Sequence, residues 1–149
     1  MDAVEIDQVL VSLDASEEAL SAVEYGLAIA ERYDADVHVL YVLSEAISRR
    51  IEAGDLEEAT VADETEAFMD SIEDVAADYD VGMCHSTAFG FLTSELTRHP
   101  GSVILDAADE VDADFLVVPR EPVSGDPTEV LGKAAEYVLM YASQPVLSV

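Results

Sequence analysis

Arg120 and Lys133 are two of only six basic residues in this chain, and they flank the loop PREPVSGDPTEVLGK that follows the apolar run Phe115-Leu116-Val117-Val118. A guanidinium and an ammonium at the carboxyl end of a parallel strand can hold an anion, because main-chain N–H groups and helix amino termini converge there. The same loop places Pro119 and Pro122 where a phosphate cradle wants glycine. Proline fixes its φ and has no N–H to donate, so both positions lose a donor. The bland alternative is ion pairing with Glu121, Asp126 or Glu129, and exposed pairs of that kind contribute little. Gly132-Lys133 is not a Walker motif, because the first glycine would fall on Pro127 and Ala134 follows the lysine. Asp126-Pro127-Thr128-Glu129 resembles a capping box with proline at the first helical position, which predicts a last helix starting ahead of Gly132.

Other reactive side chains offer less. Cys84 and His85 are adjacent, so on a strand they point to opposite faces and cannot share one nucleophilic site. His38 falls in a strand and His99 precedes Pro100, with no ligand spacing around either, so no metal site is expected. Carboxylates are too abundant for any pair to stand out as acid and base, and no reaction class follows.

The elements that must position these residues follow from periodicity. Val9-Leu10-Val11-Ser12-Leu13 reads as a buried strand, and Ser16 as the N-cap of a helix with Leu20, Val23, Leu27 and Ala30 on its inner stripe. Asp34-Ala35-Asp36 closes that helix, and the β-branched run Val37–Leu43 completes a right-handed βαβ unit. Residues 44–58 are polar without a period and read as a surface excursion or a short helix. A helix capped by Thr60 then turns Phe68, Ile72, Val75 and Tyr79 inward. The third strand is either Met83–Phe89 or Phe91–Thr93. Pro100 opens a helix with the stripe Val103, Ala107 and Val111, the strand at Phe115 follows, and Pro145 stops the last helix before a strand at Val146–Val149. Strands alternating with helices predict an α/β fold: one domain, 1–149, built on an open parallel sheet of five strands with helices on both faces.

Composition bounds the partners. There are 33 acidic against 6 basic residues, a net charge of −27, yet 50% of the 149 residues are hydrophobic, so the chain reads as globular rather than disordered. So acidic a surface repels nucleic acid and anionic lipid, which argues against both as partners. The charge reads as the solvation of a halophile protein, because at 1 M salt the Debye length falls to about 3 Å and self-repulsion is screened. An acidic interaction surface is the alternative. Cys84 is the sole cysteine, so no intramolecular disulfide forms and a reducing interior is expected. The first residues, MDAVEIDQVLVSLD, carry no basic n-region, and no run approaches ~18 apolar residues, so a soluble cytoplasmic protein is expected.

Three passages together resemble the universal stress protein family: VLVSLDASEEALSAVEYGLAIAERYDADVHVLYV, DAADEVDADFLVVP and the closing PVLSV. The resemblance covers the chain except roughly 44–60 and 82–99. It implies strand order 3-2-1-4-5 (Rossmann-like) and a homodimer through the last strand. In nucleotide-binding members it implies an Asp after the first strand against the adenosine, main chain at the end of the second, and phosphates wrapped by Gly-x2-Gly-x9-Gly-Ser/Thr. Carried onto this sequence, the Asp is Asp14 and the second-strand residue is Val42; with the last glycine at Gly132, the first two fall on Pro119 and Pro122, and Lys133 replaces the hydroxyl. The implied nucleotide-contacting set is Ser12, Asp14, Val42, Pro119, Arg120, Gly132 and Lys133, holding ATP, AMP or another small anion weakly. Asp14 is equally an ordinary turn and capping residue ahead of a helix. Two functions stay open: a homodimeric stress-response module with a weakened nucleotide loop, and a member that has lost nucleotide binding and acts on unknown protein clients. An enzyme is not expected, since the loop is poorly equipped for ATP cleavage.

Overall fold

The strands are too apolar to leave either face of a sheet in water, and the computed structural model shows how both are covered. It describes residues 4–13, 18–43, 50–51, 53–89, 100–119 and 130–149, with main chain alone at 18, 43, 87–89, 100 and 130–134. The elements are β1 (Gln8–Leu13), α1 (Glu18–Tyr33), β2 (Asp36–Leu43), α2 (Glu58–Ala76), β3 (Met83–Phe89), α3 (Pro100–Glu110), β4 (Phe115–Val118), α4 (Val130–Tyr141) and β5 (Val146–Ser148). The sheet runs β3-β2-β1-β4-β5 with every pair parallel, the expected order. Met83–Phe89, the first of the two candidates for the third strand, forms β3, and Phe91–Thr93 lies outside the described residues.

Alternate strand residues serve the two faces. Val9, Val11, Leu13, Val37, Val39, Tyr41 and Val117 join the core under α1 and α2, whereas Leu10, Leu40, Val42, Leu116 and Val118 join the core under α3 and α4. Burying one such aliphatic side chain contributes about 1.5–3 kcal/mol. The helices bury only part of what the periodicity picked out: Val23, Leu27 and Ala30 of α1 and Ile72 of α2 are buried as expected, and other positions differ. In α1 the inner stripe runs through Ala19, Ala22, Val23, Leu27 and Ala30, while Leu20 is 42% exposed. In α2 it is Val61, Met69, Ile72 and Ala76, with Phe68, Val75 and Tyr79 only partly buried at its margin. In α3 it is Ile104 and Ala108 rather than Val103, Ala107 and Val111. Small residues at the contact let the helices sit close to the sheet. At Gly26 any side chain would run into Val11 beneath it, and at Gly101 an added Cβ would stand 2.6 Å from Tyr137 on α4.

Helix ends show the same control by backbone geometry. Asp34 and Asp112 both adopt positive φ, 57° and 54°, where glycine is the usual residue. The amide of Ala35 reaches back to the carbonyl of Ala30 at 2.8 Å, and that of Ala113 to Ala108 at 2.9 Å, so Asp-Ala-Asp ends two helices by one device. Thr60 is not the cap of α2: the helix begins at Glu58, and the carbonyl of Glu57 accepts from the amides of Thr60 and Val61. Pro145 does not stop α4, which ends at Tyr141; its carbonyl instead accepts from Leu116 at 2.9 Å and leads into β5. Within the polar stretch 44–58, Arg50 and Ile51 are helical, and Ile51 packs against the core.

Candidate functional site

In the order β3-β2-β1-β4-β5 the chain reverses direction across the sheet between β1 and β4, and ligands of open α/β sheets settle at the carboxyl side of such a switch. Ser12 stands there. It lies between Val11 and Leu13, which face α1 and α2, so its side chain turns to the α3 and α4 side. It is 1% exposed, and its Oγ has no hydrogen-bond partner among the described residues. Val42 and Val118, each 1% exposed, lie on the same face at the ends of the flanking strands, and Pro119 is buried just beyond β4. Ser12, Val42 and Pro119 therefore converge on the carboxyl ends of the three central strands.

The remaining predicted residues are less fully placed. Gly132 and Lys133 belong to the first turn of α4, which begins at Val130, ahead of Gly132 as the proline-containing capping pattern predicts. The amides of a first turn have no acceptor within the helix. Asp14 and Arg120 lie outside the described residues, as do Ser16, Pro122, Glu121, Asp126 and Glu129, the Phe91–Thr93 stretch and the side chain of Lys133. The ion-pairing alternative thus concerns side chains beyond the described part.

A second polar group lies on the same face of the sheet, toward its β3 edge, and sequence reasoning missed it. His38 and Cys84 are register partners in β2 and β3. The His38 Nδ1 stands 3.1 Å from the Cys84 Sγ, and its Nε2 2.8 Å from the Ser86 Oγ. Burial, followed by repulsion from His85, holds the His38 imidazole below its ordinary value of 6.5. His85 points to the opposite face, as strand alternation requires, 3.8 Å from Glu73 of α2. No signal in one sequence could have joined His38 to Cys84, because their meeting depends on strand register.

A cavity of about 490 Å³ opens between α2 and His85, floored by Ile51, Val61 and Met69 and rimmed by Glu66, Asp70 and Glu73. That rim repels phosphate, so the cavity is no rival nucleotide site. Among the described residues no group of three His, Cys, Asp or Glu is placed to hold a metal ion, and no helix is long and apolar enough to cross a membrane.

Comparison with solved structures gives the same fold. The universal stress protein UspA from Lactobacillus plantarum superposes with a TM-score of 0.73 at 20% identity, covering 99% of each chain. A universal stress protein in complex with cAMP gives 0.68 at 22% identity, covering 98% of each chain. The universal stress protein from Archaeoglobus fulgidus in complex with dAMP gives 0.64 at 18% identity, again over 98% of each chain. No curated protein matches the sequence. The model of the universal stress protein family matches residues 5–149, nearly the whole chain, and this protein belongs to that family.

Proposed function

We propose that this protein is a stress-response binding module, not an enzyme, that takes an adenine nucleotide such as AMP or ATP, or another small anion, weakly at the carboxyl ends of β1 and β4. The carrying observation is the buried Ser12 hydroxyl with no partner among the described residues. An unmade hydrogen bond of that kind costs about 1–3 kcal/mol, and native buried polar groups are otherwise paired. A nucleoside lying over the strand ends supplies the partner, and the cAMP and dAMP complexes of the two relatives support that reading. Binding is weak because Pro119 has no N–H where a phosphate cradle needs one. The expected affinity for ATP is weaker than about 100 µM, less than roughly 5.5 kcal/mol. Calorimetric titration of wild type and Ser12→Ala with AMP and ATP tests this. A measurable affinity that drops about fivefold to tenfold in the variant supports it; no heat at ligand concentrations near ~1 mM sinks it.

The buried Pro119 also favours a second reading, a member that binds no nucleotide and acts through protein contacts alone. Either reading includes a homodimer through β5. Leu139, Met140 and Tyr141 of α4 are 55%, 67% and 62% exposed, and α4 packs on β5, the last strand of the described sheet. A second copy covers both the strand edge and these side chains. Light scattering should show a dimer for wild type and a monomer for Met140→Lys with Tyr141→Lys; a dimer that survives the double change places the interface elsewhere. The net charge of −27 belongs to a protein working in concentrated salt, so its melting temperature should rise between about 0.1 and 2 M KCl.

A further inference from the structure

We propose that Cys84 is a thiol-modification site, with His38 as its proton acceptor and Ser86 orienting the imidazole, and that its co-reactant is a small disulfide carrying no net negative charge. Parallel pairing of β2 and β3 sets His38 opposite Cys84, and the strand period of two brings Ser86 to the same face. Cys84 is exposed, so a small molecule can reach the sulfur. With Nε2–H donating to the Ser86 Oγ at 2.8 Å, the lone pair of Nδ1 faces the thiol at 3.1 Å and can accept its proton. After transfer both N–H groups of the imidazolium keep an acceptor, the thiolate on one side and the serine oxygen on the other. Burial keeps the ring neutral at neutral pH, which leaves it free to act as a base.

In the reaction the S–H bond of Cys84 breaks and its proton passes to Nδ1. The thiolate attacks one sulfur of the disulfide, a new S–S bond forms and the old one breaks. The displaced thiolate takes the proton from the imidazolium and departs as a thiol. The Cys84 sulfur is oxidised, the leaving sulfur is reduced, and nothing else is consumed. The surrounding charge of −27 repels anionic disulfides and draws cationic ones.

Because Cys84 is the sole cysteine, every equivalent of thione released from neutral dithiodipyridine reports on it. Wild type at neutral pH should react at least about tenfold faster than His38→Gln, with intact mass confirming one mixed disulfide. Equal rates overturn the proposal. Should His38→Gln fail to fold, Ser86→Ala keeps the imidazole and should react about threefold more slowly, and an unchanged rate overturns it equally. At low salt cystamine should react faster than oxidised glutathione; the reverse order overturns the assigned class of co-reactant.

Discussion

The two ends of the sheet treat polar groups in opposite ways. At the amino ends of the strands they are paired. The Asp114 Oδ2 accepts from the amides of Asp7 at 2.9 Å and Gln8 at 3.2 Å, its own amide donates to the Gln8 carbonyl at 2.8 Å, and the amide of Asp36 donates to the Asp7 carbonyl at 3.0 Å. A carboxylate there tethers the start of β1 to β4. At the carboxyl ends the polar atom is the Ser12 Oγ, buried and without a partner among the described residues, beside a proline with no amide to give. In a chain with 33 acids, a carboxylate says little about function. A buried polar atom with no partner among the described residues says more, because buried polar groups in native folds are otherwise paired.

The sharpest way to break this contrast is at the amino end. Asp114→Ala removes an acceptor of two charge-assisted bonds and should lower stability by about 2 kcal/mol in urea unfolding, with nucleotide affinity unchanged. A stable variant with altered affinity would mean that the two ends do not divide structure from binding.

At the other end, glycine at 119 and 122 with serine at 133 restores the donors and hydroxyl of the family loop. The expected gain in ATP affinity is about tenfold, roughly 1.4 kcal/mol, read by calorimetry. No gain would show that the weakness lies in the adenosine half of the site. Ser12→Ala should raise the stability of the nucleotide-free protein by about 1 kcal/mol, because it removes a buried hydroxyl that bonds to nothing described. A destabilised variant would show that the hydroxyl is satisfied after all.

The smallest effect belongs to the His38 cluster. Its imidazole ordinarily titrates at 6.5 and is lowered in the fold, by burial first and His85 second. Below 6.5 the unfolded chain therefore binds more protons than the folded one. The stability contributed by keeping the ring neutral is complete above 6.5 and is lost as pH falls through the lower folded value. Melting temperatures across this window should fall less for His38→Gln than for wild type, and parallel curves would contradict the assignment.

The sequence alone determined the alternation of strands and helices, because period-2 and period-3.6 apolar patterns and the Asp-Ala-Asp breaks are local. It also placed Ser12, Val42 and Pro119 at strand ends, since a strand's end is marked by the residues next to it. It did not determine which side of each helix turned inward. In α2 the expected stripe Phe68, Ile72, Val75 and Tyr79 shares Ile72 with the buried set Val61, Met69, Ile72 and Ala76, and only packing against the sheet chose between the rest. Nor could it find that His38 meets Cys84 and Ser86, or that Ser12 is buried with no partner among the described residues. Those facts depend on register between strands distant in the chain and on which groups neighbouring elements bring near, and both are settled only when the whole core closes.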